Sequence, residues 1–163
     1  MTAAAIATLP WPFGFAMGDK HSLARLETAM WWLEIDEGEV FGLIADRALV
    51  AFNLAGPGAE RHLPGIWSRS LHEYMQKKSL VPGVRRKRRE PPTATVVADI
   101  LPPGQRDVRL REVRRALGIK RKLLHELLEA ALLAAVPGTG DKVNKAPLIR
   151  RASVVEFLYA RRM

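Results

Sequence analysis

Cysteine is absent from this chain, which removes disulfides, thiolate zinc sites and thiol nucleophiles together. Histidine is scarce, and His21, His62, His72 and His125 stand at no metal-ligand spacing on a common helix, so no metal is expected. No serine, histidine and carboxylate arrangement stands out, and Gly138-x-Gly140 is too short for a phosphate loop. Catalytic residues and cofactors are therefore not expected. Charge is missing altogether from Met1 to Gly18. No cation precedes the apolar stretch there, and Pro10, Pro12 and Gly14 interrupt it, so it does not read as a secretory signal. Apolar runs long enough to cross a bilayer are lacking too. The expectation is a cytoplasmic, nucleoid-associated protein with no membrane partner.

What is present points to a polyanion. The chain has 163 residues, 48% of them hydrophobic, a formal net charge of +9 and a pI near 10.5. The apolar fraction suffices for packed cores, and the charge favours nucleic acid, although ribosomal and membrane-surface proteins share that signature. Residues 1–23 read as an apolar arm that covers a core through Trp11, Phe13 and Phe15.

An internal repeat organises the rest. Leu26, Leu33, Ile35, Val40, Leu43, Ile44 and Leu49 match Leu110, Leu117, Ile119, Leu124, Leu127, Leu128 and Leu133, every pair apolar and 84 positions apart. Ser70, Glu73, Tyr74 and Met75 then match Ser153, Glu156, Phe157 and Leu158 at an offset of 83. A turn-rich stretch absorbs the lost residue. Both halves carry two short helical patterns, a turn-rich segment, and Ser-x-x-Glu, which reads as a capping box opening a third helix. This assigns residues 24–78 and 108–163 as two units. Between them, residues 79–107 read as a basic, Pro-rich linker that contains Arg85, Arg86, Lys87, Arg88 and Arg89. Thr95 to Ile100 is β-prone enough to pair with a sheet edge.

In the second unit, Arg109 to Leu117 places Leu110, Val113 and Leu117 on one helical face, and Gly118 ends the helix as a residue of positive φ does. Lys120 to Ala134 reads as the next helix, with Leu123, Leu124, Leu127, Leu128 and Leu132 inward. Two helices joined by a glycine turn make a helix-turn-helix. Pro137 to Pro147 has turn chemistry between short apolar strands, a wing, and Ser153 to Arg162 closes the unit as a helix.

The stretches Arg111-Glu112-Val113-Arg114-Arg115-Ala116-Leu117-Gly118-Ile119 and Leu148-Ile149-Arg150-Arg151-Ala152-Ser153-Val154-Val155-Glu156-Phe157-Leu158 resemble the excisionase-like, MerR-related winged helix-turn-helix family. The resemblance covers about a third of the chain; the first unit joins it only through the repeat. It implies a mainly α protein with small β-hairpin wings (α+β), two tandem winged helix-turn-helix units, and double-stranded DNA as partner. The second helix would enter the major groove and the wing would touch the backbone or minor groove. Carried over, Lys120, Arg121, Lys122 and His125 fall on the exposed side of the recognition helix, and Arg150 and Arg151 where the wing returns. Independently of the family, Arg and Lys at that helix start suit guanine acceptors. Thr139, Lys142, Asn144 and Lys145 suit phosphate contacts, to which the Arg85–Arg89 run adds.

The first unit departs from this pattern. Its counterpart of Lys120-Arg121-Lys122 is Asp36-Glu37-Gly38, followed by Glu39, and carboxylates repel phosphate. Its residues carry a net negative charge and most of the tryptophan. Trp31 and Trp32 cannot both face inward along one helix, so one of them is expected to meet the arm, a partner protomer or the second unit, and this unit is where a second copy or a protein partner is expected to dock. A second DNA contact through its wing would use Arg61, His62 and Arg69. The functional expectation is sequence-specific DNA binding in recombination, transcription regulation or phage or plasmid maintenance. The alternatives are a non-specific architectural DNA-binding protein and, with less support, an RNA-binding protein.

Overall fold

The computed structural model describes residues 22–80, 90–101, 104, 106–137 and 146–163. They form helices combined with small antiparallel sheets, an α+β fold. The first copy opens with β1 (Leu23–Arg25), followed directly by α1 (Leu26–Leu33), which buries Ala29 and Leu33. Helix α1 stops at Glu34, held at φ 54°. Asp36 caps α2 (Glu37–Ala45): its carboxylate accepts from Glu39 N, and Glu39 Oε2 accepts from Asp36 N, a reciprocal pair that satisfies two helix-end donors. Then come β2 (Ala51–Asn53), β3 (Pro64–Trp67) and α3 (Ser68–Leu80). The sheet order is β1-β3-β2, with Leu23 opposite Trp67 and Ala51 opposite Ile66.

After α4 (Thr93–Ile100), the same order recurs as β4 (Asp107–Arg109), α5 (Leu110–Leu117), α6 (Arg121–Glu129), β5 (Leu148–Arg150) and α7 (Arg151–Ala160). The bridge between Ala135 and Ile149 takes the place of the pair Ala51–Ile66. The copies agree bond by bond. Ser68 N donates to Ser22 O at 3.0 Å, and Arg151 N to Arg106 O at 3.1 Å. Glu34 and Gly118 share a positive φ, as do Arg47 and Ala131.

Both serines do something other than cap. Helices α3 and α7 begin two residues before Ser70 and Ser153, which places each serine in the first turn. Each hydroxyl donates back to a carbonyl, Trp67 O at 2.7 Å and Arg150 O at 2.8 Å. Each also accepts a strand amide, from Val50 at 3.1 Å and from Ala134 at 3.0 Å. The expected capping boxes are thus replaced by a pin between helix and sheet.

The linker expectation also changes. Thr95 to Ile100 is not a strand; it lies within α4, where Val96, Val97 and Ile100 are buried along one side. Pro92 precedes the first turn, where a missing N–H costs nothing, and an i, i+1, i+4 spacing matches a helix rather than a period of two. Trp67 Nε1 donates to Asp99 at 2.8 Å, and Ser22 Oγ to Ile100 O at 3.0 Å. Residues Arg85–Arg89 lie outside the described residues.

Nor are the two copies independent bodies. One cluster is local to the first copy and includes Leu33, Val40, Ile44, Ile66 and Leu71. The larger one unites Leu23, Phe52, Leu54 and Trp67 of the first copy with Val97, Leu117, Leu127, Ile149 and Phe157. Alternation along β2 makes this possible: Ala51 faces the first cluster and Phe52 the shared one. Residues 161–163 then extend the sheet beyond β2, with Asn53 N donating to Arg161 O at 2.8 Å and Met163 N to Ala51 O at 2.9 Å. Among the described residues nothing continues the matching edge in the second copy: Ala135 is exposed where Ala51 is buried, and Pro137 stands where the first copy has Asn53.

Both copies are therefore expected to unfold in one transition, followed together by far-UV dichroism and tryptophan fluorescence. Phe52→Ala should lower stability by about 3–5 kcal/mol, the range for a large core aromatic. Two separated transitions would contradict the shared core.

Candidate nucleic-acid interface

Helix α5 has the sequence LREVRRAL, which buries Val113, Ala116 and Leu117 and leaves Arg111, Arg114 and Arg115 exposed. It ends at Gly118, φ 64°, as the sequence predicts. Two residues later Lys120 adopts an extended N-cap conformation and α6 begins. Helix α6 is shorter than the expected Lys120–Ala134. It ends at Glu129, and the positive φ of Ala131 turns the chain so that Leu133 enters the core from a loop. Leu124 and Leu127 are buried on the inner side, and Arg121 and Lys122 are exposed on the outer one.

The residues expected to meet DNA divide into three groups. Lys120, Arg121, Lys122 and Arg150 are all exposed, and His125 is half-buried beside them. Arg121 Nε donates to His125 Nε2 at 3.3 Å, and Lys122 Nζ lies 3.9 Å from Glu126 Oε1. Neither contact withdraws the cations, since a solvent-exposed pair of this kind is worth well under about 1 kcal/mol. A second group is engaged inside the protein. Arg151 donates from Nη2 to Leu101 O, and its Nε is buried with no partner among the described residues. It braces the end of α4 rather than the solvent face. The third group, Thr139, Lys142, Asn144, Lys145 and Arg85–Arg89, lies outside the described residues; of the expected wing only β5 and its bridge to Ala135 are described.

In the first copy, His62 and Arg69 are exposed and also make contacts within the chain. His62 Nδ1 and Asn53 Nδ2 are 2.9 Å apart, and Asn53 Oδ1 accepts from Ala55 N and Leu63 N, which closes the loop between β2 and β3. Arg69 pairs with Asp99 at 3.0 Å and stacks 5.8 Å over the Trp67 ring. Arg61 is exposed.

In the second copy, the exposed cations absent from the expected set are Arg106, Arg109, Arg111, Arg114 and Arg115. For Arg111, Arg114 and Arg115 the signal was present: once Val113, Ala116 and Leu117 face inward, the arginines of α5 must face outward. Together with Lys120–Lys122 they make a basic surface over α5, the turn and the start of α6. No family model, curated protein or solved structure matches this chain.

The repeat supplies an internal comparison instead. At equivalent positions 84 apart, Glu27 faces Arg111, Trp31 faces Arg115, Asp36 faces Lys120 and Glu37 faces Arg121. The backbone is the same and the charge is inverted. The inversion has a local cost. Asp36 caps α2 and complements its dipole, whereas Lys120 offers α6 no side-chain cap and puts cations at its positive end. Lys120→Asp should therefore raise stability by about 0.5–2 kcal/mol, the worth of an N-cap. Urea denaturation checks this, and a variant no more stable than the parent would show that the end of α6 is satisfied by other means.

Proposed function

We propose that this protein binds double-stranded DNA in a sequence-dependent way, as a winged helix-turn-helix protein of the excisionase-like, MerR-related kind. In this reading α6 enters the major groove, the cations of α5 lie along the phosphates, and Arg150 contacts the backbone where the wing returns. The observation that carries the proposal is the charge inversion at matched positions. One copy keeps the carboxylates that favour the helix end, while the other places exposed cations there against local stability. A phosphate oxygen would reverse that penalty, because it accepts the free helix-end amides and neutralises the side chains. Arg121 and Lys122, in the first turn of α6, have the chemistry to read guanine.

The first copy is assigned a different partner. Its α1–α2 face carries Glu27, Asp36 and Glu37 together with Trp31, which is 57% exposed. Such a face repels phosphate and suits a protein surface, either a second protomer or another chain.

The test is a titration of the full chain against duplexes selected from a random pool, at several salt concentrations. Neutralising Z phosphates gives a log–log slope of about −0.9Z. Arg121→Ala or Lys122→Ala is expected to weaken binding to a selected site by about 1–3 kcal/mol, and to weaken random DNA much less. Equal losses on both would reassign these side chains to phosphate and favour an architectural role. Binding that ignores salt would exclude the proposal.

A further inference from the structure

Helix α6 is nine residues long, starts without a side-chain cap and has Arg121 and Lys122 in its first turn. A helix of that length is marginal alone, and its cations oppose its own dipole. Its direction must be imposed by what it packs against. Part of that packing comes from the first copy, at two separate places. Arg25 Nε donates to Gly118 O at 3.1 Å, and Leu23 O lies 2.7 Å from where a Cβ on Gly118 would stand. The turn between α5 and α6 is thus seated on β1. Farther along, Gly56 backs onto the helix itself: a Cβ there would lie 3.5 Å from Leu123 Cδ1 and 3.5 Å from Glu126 Oε2. Leu23 and Leu54 enter the same core as Leu124 and Leu127.

We propose that Arg25 and the Leu54–Gly56 segment are positioning elements for α6, so that the acidic copy holds the basic copy's contact helix in place. Arg25 acts through the Gly118 carbonyl and touches no nucleic acid. The consequence for DNA rests on the function proposed above; the mechanical claim does not, and the two are separable by experiment.

Hydrogen exchange of the full chain without DNA tests the mechanics. Arg25→Ala, and Arg25→Lys, which keeps the charge but not the Nε donor, should each speed exchange at residues 118–124 by about fivefold, the worth of one hydrogen bond. Exchange at Val40 and Leu71, in the separate first cluster, should stay unchanged and serves as the folding control. Unchanged exchange at 118–124 overturns the proposal. In DNA titrations both variants should lose affinity alike, about fivefold, with the salt slope preserved. A slope shallower by about 0.9 for alanine, with lysine behaving as the parent, would make Arg25 a phosphate contact and also overturn it. If the parent chain binds no duplex, the DNA reading fails, and the exchange result still decides the positioning role.

Discussion

Residues 161–163 pair with β2, and the arrangement of the molecule follows from that pairing. The Asn53 amide and the Ala51 carbonyl point away from β3 and find their partners in Arg161 and Met163. The side chains of the same segment fasten the surroundings. Arg161 reaches Ala55 O at 3.1 Å, while Arg162 binds Thr93 Oγ1 at 2.6 Å and Glu90 Oε1 at 2.7 Å. This short bridging segment thus joins the first copy, the stretch before α4 and the end of the second copy. With the edge occupied, Phe52 is sealed beneath it, and the large core can include residues from both copies. A polar edge left open above Phe52 would admit water to that core.

The repeat was legible because a duplicated fold must turn the same positions inward, and the matched leucines and isoleucines lie in or against a core in both copies. Gly118 was legible for a similar reason, since a tight turn asks for positive φ. Three features were hidden. Ser-x-x-Glu is a pattern of residue types, and the serine hydroxyl serves equally well as a cap or as a pin to a strand; only the start of the helix distinguishes them. Val96 and Val97 are β-branched and favour strands by propensity, but burial against α7 overrode that preference. Third, a run rich in proline and arginine suggests separation, whereas Phe52 and Leu54 give no local sign that they face a partner 80 or more residues away.

In the two copies, fold and charge have diverged independently. The hydrogen bonds of Ser70 and Ser153 are superimposable in kind, yet the exposed faces of α1–α2 and α5–α6 are opposite in sign. Packing constrains the inner stripe of each helix and leaves the outer stripe open to change, apart from what a helix end prefers. At position 36 the first copy meets that preference with aspartate; at position 120 the second does not. A residue that weakens its own helix while staying exposed is not explained by packing, which makes the helix start, rather than the charge total, the informative place in the basic half.

The open edge beside Ala135 bears on polymerisation. Residues 161–163 of the second copy lie on β2 of the first, a head-to-tail contact whose two surfaces differ. A contact of that kind that met the same surface again in every copy would not close on itself, and successive chains would add into a fibre. Growth requires an edge that both accepts and donates. Pro137 has no N–H, so the position matching Asn53 cannot give the amide that Asn53 gives to Arg161 O. A single imino acid thus removes one of the two backbone bonds that a further copy would need to dock on this edge as residues 161–163 dock on β2.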